Sequence, residues 1–211
     1  YGNYEVADWT LTYYHAQTIV SALKDHSALL GWDLKNEPDL DFDSRGKENV
    51  LTWLEELAVQ IKKWDPTHPI TVGWSSTQEA TNLANKLDFV SFHYYKDVED
   101  FLMAYHVLRD SVPASKAVVL QEYGISSYSG FWNIFRGSED KQASYYDEMQ
   151  SVLHQESVPF LFWTLYDFED VPTSVVGRLP WRRQPQKYFG CFDIEGKKKK
   201  SYKLCKNTAK K

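Results

Sequence analysis

From Leu29 onward, short apolar or β-branched runs alternate with longer stretches whose apolar residues recur at helical spacing. That alternation predicts parallel strands joined by helical crossovers. The first run predicts a strand at about 30–36. The spacing of Val50, Leu51, Leu54, Leu57, Ala58 and Ile61 predicts a helix over 47–64, stopped by Asp65-Pro66. A second strand is expected at 69–74 and a short helix at 77–86. The third strand, 88–94, is apolar without interruption, as a strand covered on both faces should be. Residues 98–109 read as helix, 117–122 as the fourth strand, and 139–156 as a helix behind Ser138 as its cap. A fifth strand is expected at 158–165, with Pro159 near its start, where a missing amide proton is tolerated. Before all of these, 8–25 looks like a crossover helix with no strand in front of it, and 206–211 reads as a frayed basic tail.

Composition narrows the picture. A chain of 211 residues with 43% apolar content can bury one sizeable core but not two comfortable ones, so 1–205 is expected to be one domain. A net charge of −5 offers no field for phosphate backbones, which argues against nucleic acid as a partner. The dense run Lys197 to Lys200 is better read as a solvated surface than as a nucleic-acid arm. No stretch approaches the roughly 18 to 20 apolar residues of a membrane span. Because the chain starts at Tyr1, an upstream leader or longer segment is expected to have been removed; no signal pattern opens the chain, and a secreted or periplasmic location is expected. Cys191 and Cys205 lack zinc-site spacing; a disulfide and two free thiols are both open.

Two strings carry candidate chemistry. Trp32-Asp33-Leu34-Lys35-Asn36-Glu37-Pro38 and Val118-Val119-Leu120-Gln121-Glu122-Tyr123-Gly124 each run an apolar strand into a glutamate. Cleaving a glycoside needs a neutral acid for the leaving alkoxide and an anionic carboxylate at the anomeric carbon. Pro38 turns the chain sharply after Glu37, and Gly124 permits a turn after Glu122. Asp39, Asp41 and Asp43 alternate like metal ligands, but with no glycine at the sixth position and Val50 at the twelfth a calcium loop fails, so no metal site is expected. Asp167, Glu169 and Asp170 read as a plain acidic loop. Trp9, Trp74, Trp132 and Trp181 are candidates for outer sugar subsites.

Asn36-Glu37-Pro38, followed about 85 residues later by Glu122-Tyr123-Gly124, resembles clan A glycoside hydrolases, most closely family 5. The resemblance implies a (β/α)8 TIM barrel of which this chain covers about strands four to eight, an incomplete barrel. It implies that Glu37 is the acid/base and Glu122 the nucleophile of a retaining β-glycosidase acting on a β-glucan or β-mannan, with no cofactor. Ser91-Phe92-His93-Tyr94-Tyr95 resembles the family's His-x-Tyr, so His93 and Tyr95 match its two functional side chains, Tyr95 as donor to Glu122. Trp163 matches the floor under the sugar, and Asn36 the partner of the 2-hydroxyl. No residue here matches the family's strand-two arginine. An amino-terminal segment or self-association is then expected to complete the barrel. The alternative is a non-catalytic or decayed glycan-binding fragment of such a barrel.

Overall fold

The computed structural model describes residues 9–208, apart from the side chains of Asn133, Asn207 and Thr208. Its contacts group the chain into two compact units, Tyr1–His93 with Met103–Gln121, and Tyr94–Leu102 with Glu122–Lys211.

In the first unit, helix α1 (Trp9–Leu23) precedes strand β1 (Trp32–Asn36), and a short helix α2 (Phe42–Arg45) leads into α3 (Lys47–Trp64). Strand β2 (Ile70–Trp74) follows, then β3 (Val90–Tyr94) and β4 (Val118–Tyr123), with α4 (Phe101–Ser111) between the last two. The sheet order is β1-β2-β3-β4. β1 and β2 are parallel, with Trp32 opposite Ile70, and β2 and β3 are parallel, with Gly73 opposite Ser91. This is the sequential parallel order of a (β/α) barrel.

Helix α3 forms where its apolar stripe dictates: Val50, Trp53, Leu54, Leu57, Ala58 and Ile61 are all buried. It ends at Asp65, whose backbone is extended at φ −141° as the following proline requires. All five residues of β2 are buried, so a strand covered on both faces is what its apolar run encodes. In place of the helix expected over 77–86 stands one 3-10 turn, Glu79–Thr81, followed by turns through Leu83 at φ 56°. Here Asn82 hydrogen-bonds the Glu79 carbonyl at 2.7 Å, a local bond that competes with helix propagation.

The second unit is built around α5 (Glu139–Gln155). Ser138 caps it, its hydroxyl accepting from the Lys141 amide at 3.1 Å. Tyr146, Met149 and Leu153 of α5 are buried in the same core as Tyr123. The fifth strand is reduced to a single bridge at Phe160: residues 158–165 carry no continuous ladder. Trp163 donates one backbone bond to Tyr123, after which the chain pairs elsewhere, Thr164 with Phe189 and Cys191, and Leu165 with Phe192. Competing partners at 189–192 and the missing amide proton of Pro159 together explain why no ladder forms. Short helices α6 (Thr173–Val176) and α7 (Pro180–Gln186) follow, and a Cys191–Cys205 disulfide joins residue 191 to α8 (Tyr202–Thr208). The expected tail is thus helical as far as Thr208; 209–211 lie outside the described residues.

Candidate active site

In the first unit, β1 ends by donating the Glu37 amide to the Gly73 carbonyl at 2.7 Å. Its register shifts between Asp33 and Asn36, a bulge that re-aims the side chains at the strand's end. Glu37 itself sits in the left-handed region, φ 46°, ψ 51°. A glutamate there costs on the order of 1–3 kcal/mol, and such strain concentrates at functional positions. Pro38 opens a 3-10 turn, Pro38–Asp41, and Asp39 secures it by accepting from the Ser75 amide at 3.0 Å and from the Ser75 hydroxyl.

The Glu37 carboxylate is received by His93, Nδ1 to Oε1 at 2.9 Å, with the imidazole fully buried. Against a carboxylate the ring donates from Nδ1, which fixes its tautomer. Beneath it runs a chain of polar side chains: Asp33 accepts from the Gly73 amide at 3.0 Å and from Gln121 at 2.7 Å, and Gln121 accepts from Ser91 at 2.7 Å. A Cβ at Gly73 would stand 2.8 to 3.0 Å from Asp33 Oδ2, Gln121 Oε1 and His93 Nε2, so only glycine leaves this layer intact. Asn36 has an exposed side chain.

In the second unit, the Tyr95 hydroxyl donates to Glu122 Oε2 at 2.6 Å, a charge-assisted bond at the short end of its class. The Tyr95 ring stands edge-on to Phe189, centroids 6.0 Å apart at 82°. Trp163 is fixed through its backbone, donating to the Tyr123 carbonyl at 2.9 Å and accepting from the Tyr146 hydroxyl at 3.1 Å; the Trp163–Thr164 peptide is cis. A Cβ at Gly124 would meet the Trp163 carbonyl at 2.2 Å, so the turn after Glu122 needs glycine for close approach rather than for positive φ.

The structure therefore brings His93 to Glu37 and Tyr95 to Glu122, each pair within one unit. Of the outer tryptophans, Trp74 is wholly buried and is a core residue, while Trp132 and Trp181 are 85% and 59% exposed. The acidic loop and the lysine run are corrected at two positions: Asp167 and Lys199 are buried and bonded to each other at 2.6 Å. Burial pushes the Asp167 carboxyl up, against the opposing pull of Lys199. Nothing in a run of four lysines marks its third member as buried, because the partner lies 32 residues away.

A family model described as cellulase (glycosyl hydrolase family 5) matches residues 3–169. Mannan endo-1,4-beta-mannosidase 3 of Arabidopsis thaliana is 31% identical over 115 residues, 40% of this chain and 28% of that protein. Its namesake from Solanum lycopersicum is 27% identical over 143 residues, 52% of this chain and 35% of that protein. The chain thus spans about a third of the length of these curated relatives. Among solved structures, a GH2 beta-galacturonidase from Eisenbergiella tayi superposes with a TM-score of 0.74 at 20% identity, over 94% of this chain and 36% of that one. A family 17 beta-1,3-glucanosyltransferase from Rhizomucor miehei gives 0.62 at 16% identity, over 89% and 68%. At such identities the superpositions speak to the fold alone, and the four parallel strands with their helices are part of a (β/α) barrel.

Proposed function

As the chain belongs to glycosyl hydrolase family 5, we propose that it hydrolyses β-glycosidic bonds of a β-glycan by double displacement. The observation that carries this reading is the Tyr95 hydroxyl on Glu122 at 2.6 Å. A hydroxyl donor favours the ionised carboxylate, the form a nucleophile needs.

In the first step a Glu122 oxygen bonds to the anomeric carbon while Glu37 gives its proton to the departing glycosidic oxygen. His93 donates to Glu37 Oε1, which leaves Oε2 to carry that proton. In the second step Glu37, now ionised, takes a proton from water; the water oxygen bonds to the anomeric carbon and Glu122 leaves. The product keeps the anomeric configuration of the substrate. Asn36 takes the 2-hydroxyl, and Trp163 forms the floor of the cleavage subsite. The mannan endo-1,4-beta-mannosidase names of the relatives make β-1,4-mannan the first substrate to test, with β-glucan beside it.

The Cys191–Cys205 disulfide supports a secreted or periplasmic location, since such bonds persist in oxidising compartments. Among the described residues no helix is long and apolar enough to cross a membrane. Strand β1 is one edge of the sheet, and Leu11, Tyr14 and Leu30 near it are 74%, 69% and 81% exposed. Such an edge calls for cover; an amino-terminal segment or a second copy supplies it, and a monomer in light scattering would exclude the second copy.

Glu122→Gln is expected to lower turnover on β-mannan or β-glucan at least about 1,000-fold. Full activity in that variant, or an inverted anomer in the first product seen by NMR, would overturn the proposal.

A further inference from the structure

The second unit contains a buried polar knot that the reaction above does not use. Lys199 and Asp167 are 7% and 8% exposed, with Lys199 Nζ on Asp167 Oδ1 at 2.6 Å. The same ammonium also donates to the Ser127 hydroxyl at 3.0 Å and to the Tyr188 carbonyl at 3.4 Å. Asp167 Oδ1 accepts in addition from the Gly190 amide at 2.7 Å. Gln142, fully buried on α5, donates to the Phe189 carbonyl at 3.3 Å and accepts from Ser201 at 3.0 Å. Three of these bonds reach the backbone of residues 188–190, at the Tyr188 carbonyl, the Phe189 carbonyl and the Gly190 amide.

What that backbone carries is Phe189. Its ring is buried, stands edge-on to Tyr95 at 6.0 Å, and fills the space beside Gly124, its Cδ1 3.3 Å from where a Cβ at that position would stand. Tyr95 in turn donates to Glu122 at 2.6 Å. A buried ion pair is a poor stabiliser for its desolvation cost, and its better attested use is to specify one arrangement.

We propose that Phe189 is a positioning residue for Glu122, acting through the Tyr95 ring, and that the Asp167–Lys199 pair locks the backbone that presents it. This rests on the reading of Glu122 as nucleophile, although the geometric half of it does not. The ion pair fixes 188–190, the Phe189 ring limits the tilt of Tyr95, and the hydroxyl then meets Glu122 in one orientation. Misplacement of a reacting group by about 1 Å is worth up to roughly 100-fold in rate, so a loosened Tyr95 should be read in kcat more than in KM.

The test uses the full chain with 3-fluorotyrosine at position 95, followed by fluorine NMR, in wild type, Phe189→Leu and the paired variant Asp167→Asn with Lys199→Met. The paired variant removes both charges together, so no uncompensated ion is left buried; Phe189→Leu keeps an apolar side chain and serves if the paired variant does not fold. The expected result is one sharp resonance in wild type, shifted and broadened in both variants. In turnover, Phe189→Leu is expected to lower kcat about 10- to 100-fold with KM nearly unchanged, and to add nothing further in a Tyr95→Phe background. An unaltered resonance in Phe189→Leu, or additive losses with Tyr95→Phe, would overturn the inference. If the resonance responds but Glu122→Gln keeps full turnover, the nucleophile reading fails while the positioning of Tyr95 stands.

Discussion

Glu37 occupies a backbone state that suits glycine, at φ 46°, and is held there by the Gly73 carbonyl behind it, Pro38 after it and His93 at its carboxylate. Gly73 is the least replaceable of these, since a methyl group there would stand 3.0 Å from His93 Nε2 and closer still to Asp33 and Gln121. Gly73→Ala is expected to lower kcat at least about 10-fold through a displaced His93, with the midpoint of urea unfolding moved far less; an unchanged kcat in steady-state assays would contradict this. A second residue, Asp65, accepts from the Trp32 indole at 2.9 Å, from the Thr67 amide and hydroxyl, and from the His68 amide and ring. Burial alone would raise its carboxyl, but these donors outweigh it and hold the group well below the usual range. The folded chain thus binds this proton less readily than the unfolded chain, whose aspartates titrate near about 3.9. The contribution is complete above that value and is lost as pH falls through the lower folded one. Asp65→Asn should cost about 2–4 kcal/mol at pH 7 and show a smaller loss between pH 5 and pH 3 than wild type in urea melts. Parallel losses in the two proteins would rule this out.

At the scale of elements, legibility followed local encoding. Helix α3 was readable to both its ends because its apolar stripe and its Asp65-Pro66 stop are written within the segment. Helix α5 was readable from Ser138, whose hydroxyl does accept from Lys141. Ser138→Ala is expected to cost about 1 kcal/mol in thermal or urea unfolding, and no measurable change would show that the cap is redundant. The failure over 77–86 was local, at the bond from Asn82 to the Glu79 carbonyl, and the one at the fifth strand was non-local. Residues 158–165 carry strand composition, yet Thr164 and Leu165 at their end pair with 189–192, a pairing no window around Pro159 contains. Helices α2, α6 and α7 span four to seven residues each, too few for any periodicity to register. In the site, strand-end position and residue type pointed to Glu37 and Glu122, and the family resemblance added His93 and Tyr95. The left-handed turn at Glu37, the burial of Lys199 and the packing of Phe189 against Tyr95 arise from tertiary packing and left no mark in the sequence.

For the whole molecule, membership of glycosyl hydrolase family 5 is the frame in which we propose roles for the two strand-end carboxylates. The carboxylates have different local supports, a buried imidazole for Glu37 and a phenol for Glu122. That difference fits one group that must carry and release a proton and another that must stay ionised. The division of labour is the central claim, and covalent trapping tests it most directly. The full chain is incubated with 2-deoxy-2-fluoro-β-mannosyl and β-glucosyl fluorides, digested and mapped by mass spectrometry. The account predicts a single added fluoroglycosyl group on the peptide containing Glu122, absent in Glu122→Gln and still formed in Glu37→Ala, whose slow step with a good leaving group is release of the sugar. A label on Glu37 or on any other residue, with Glu122 unmodified, would contradict it.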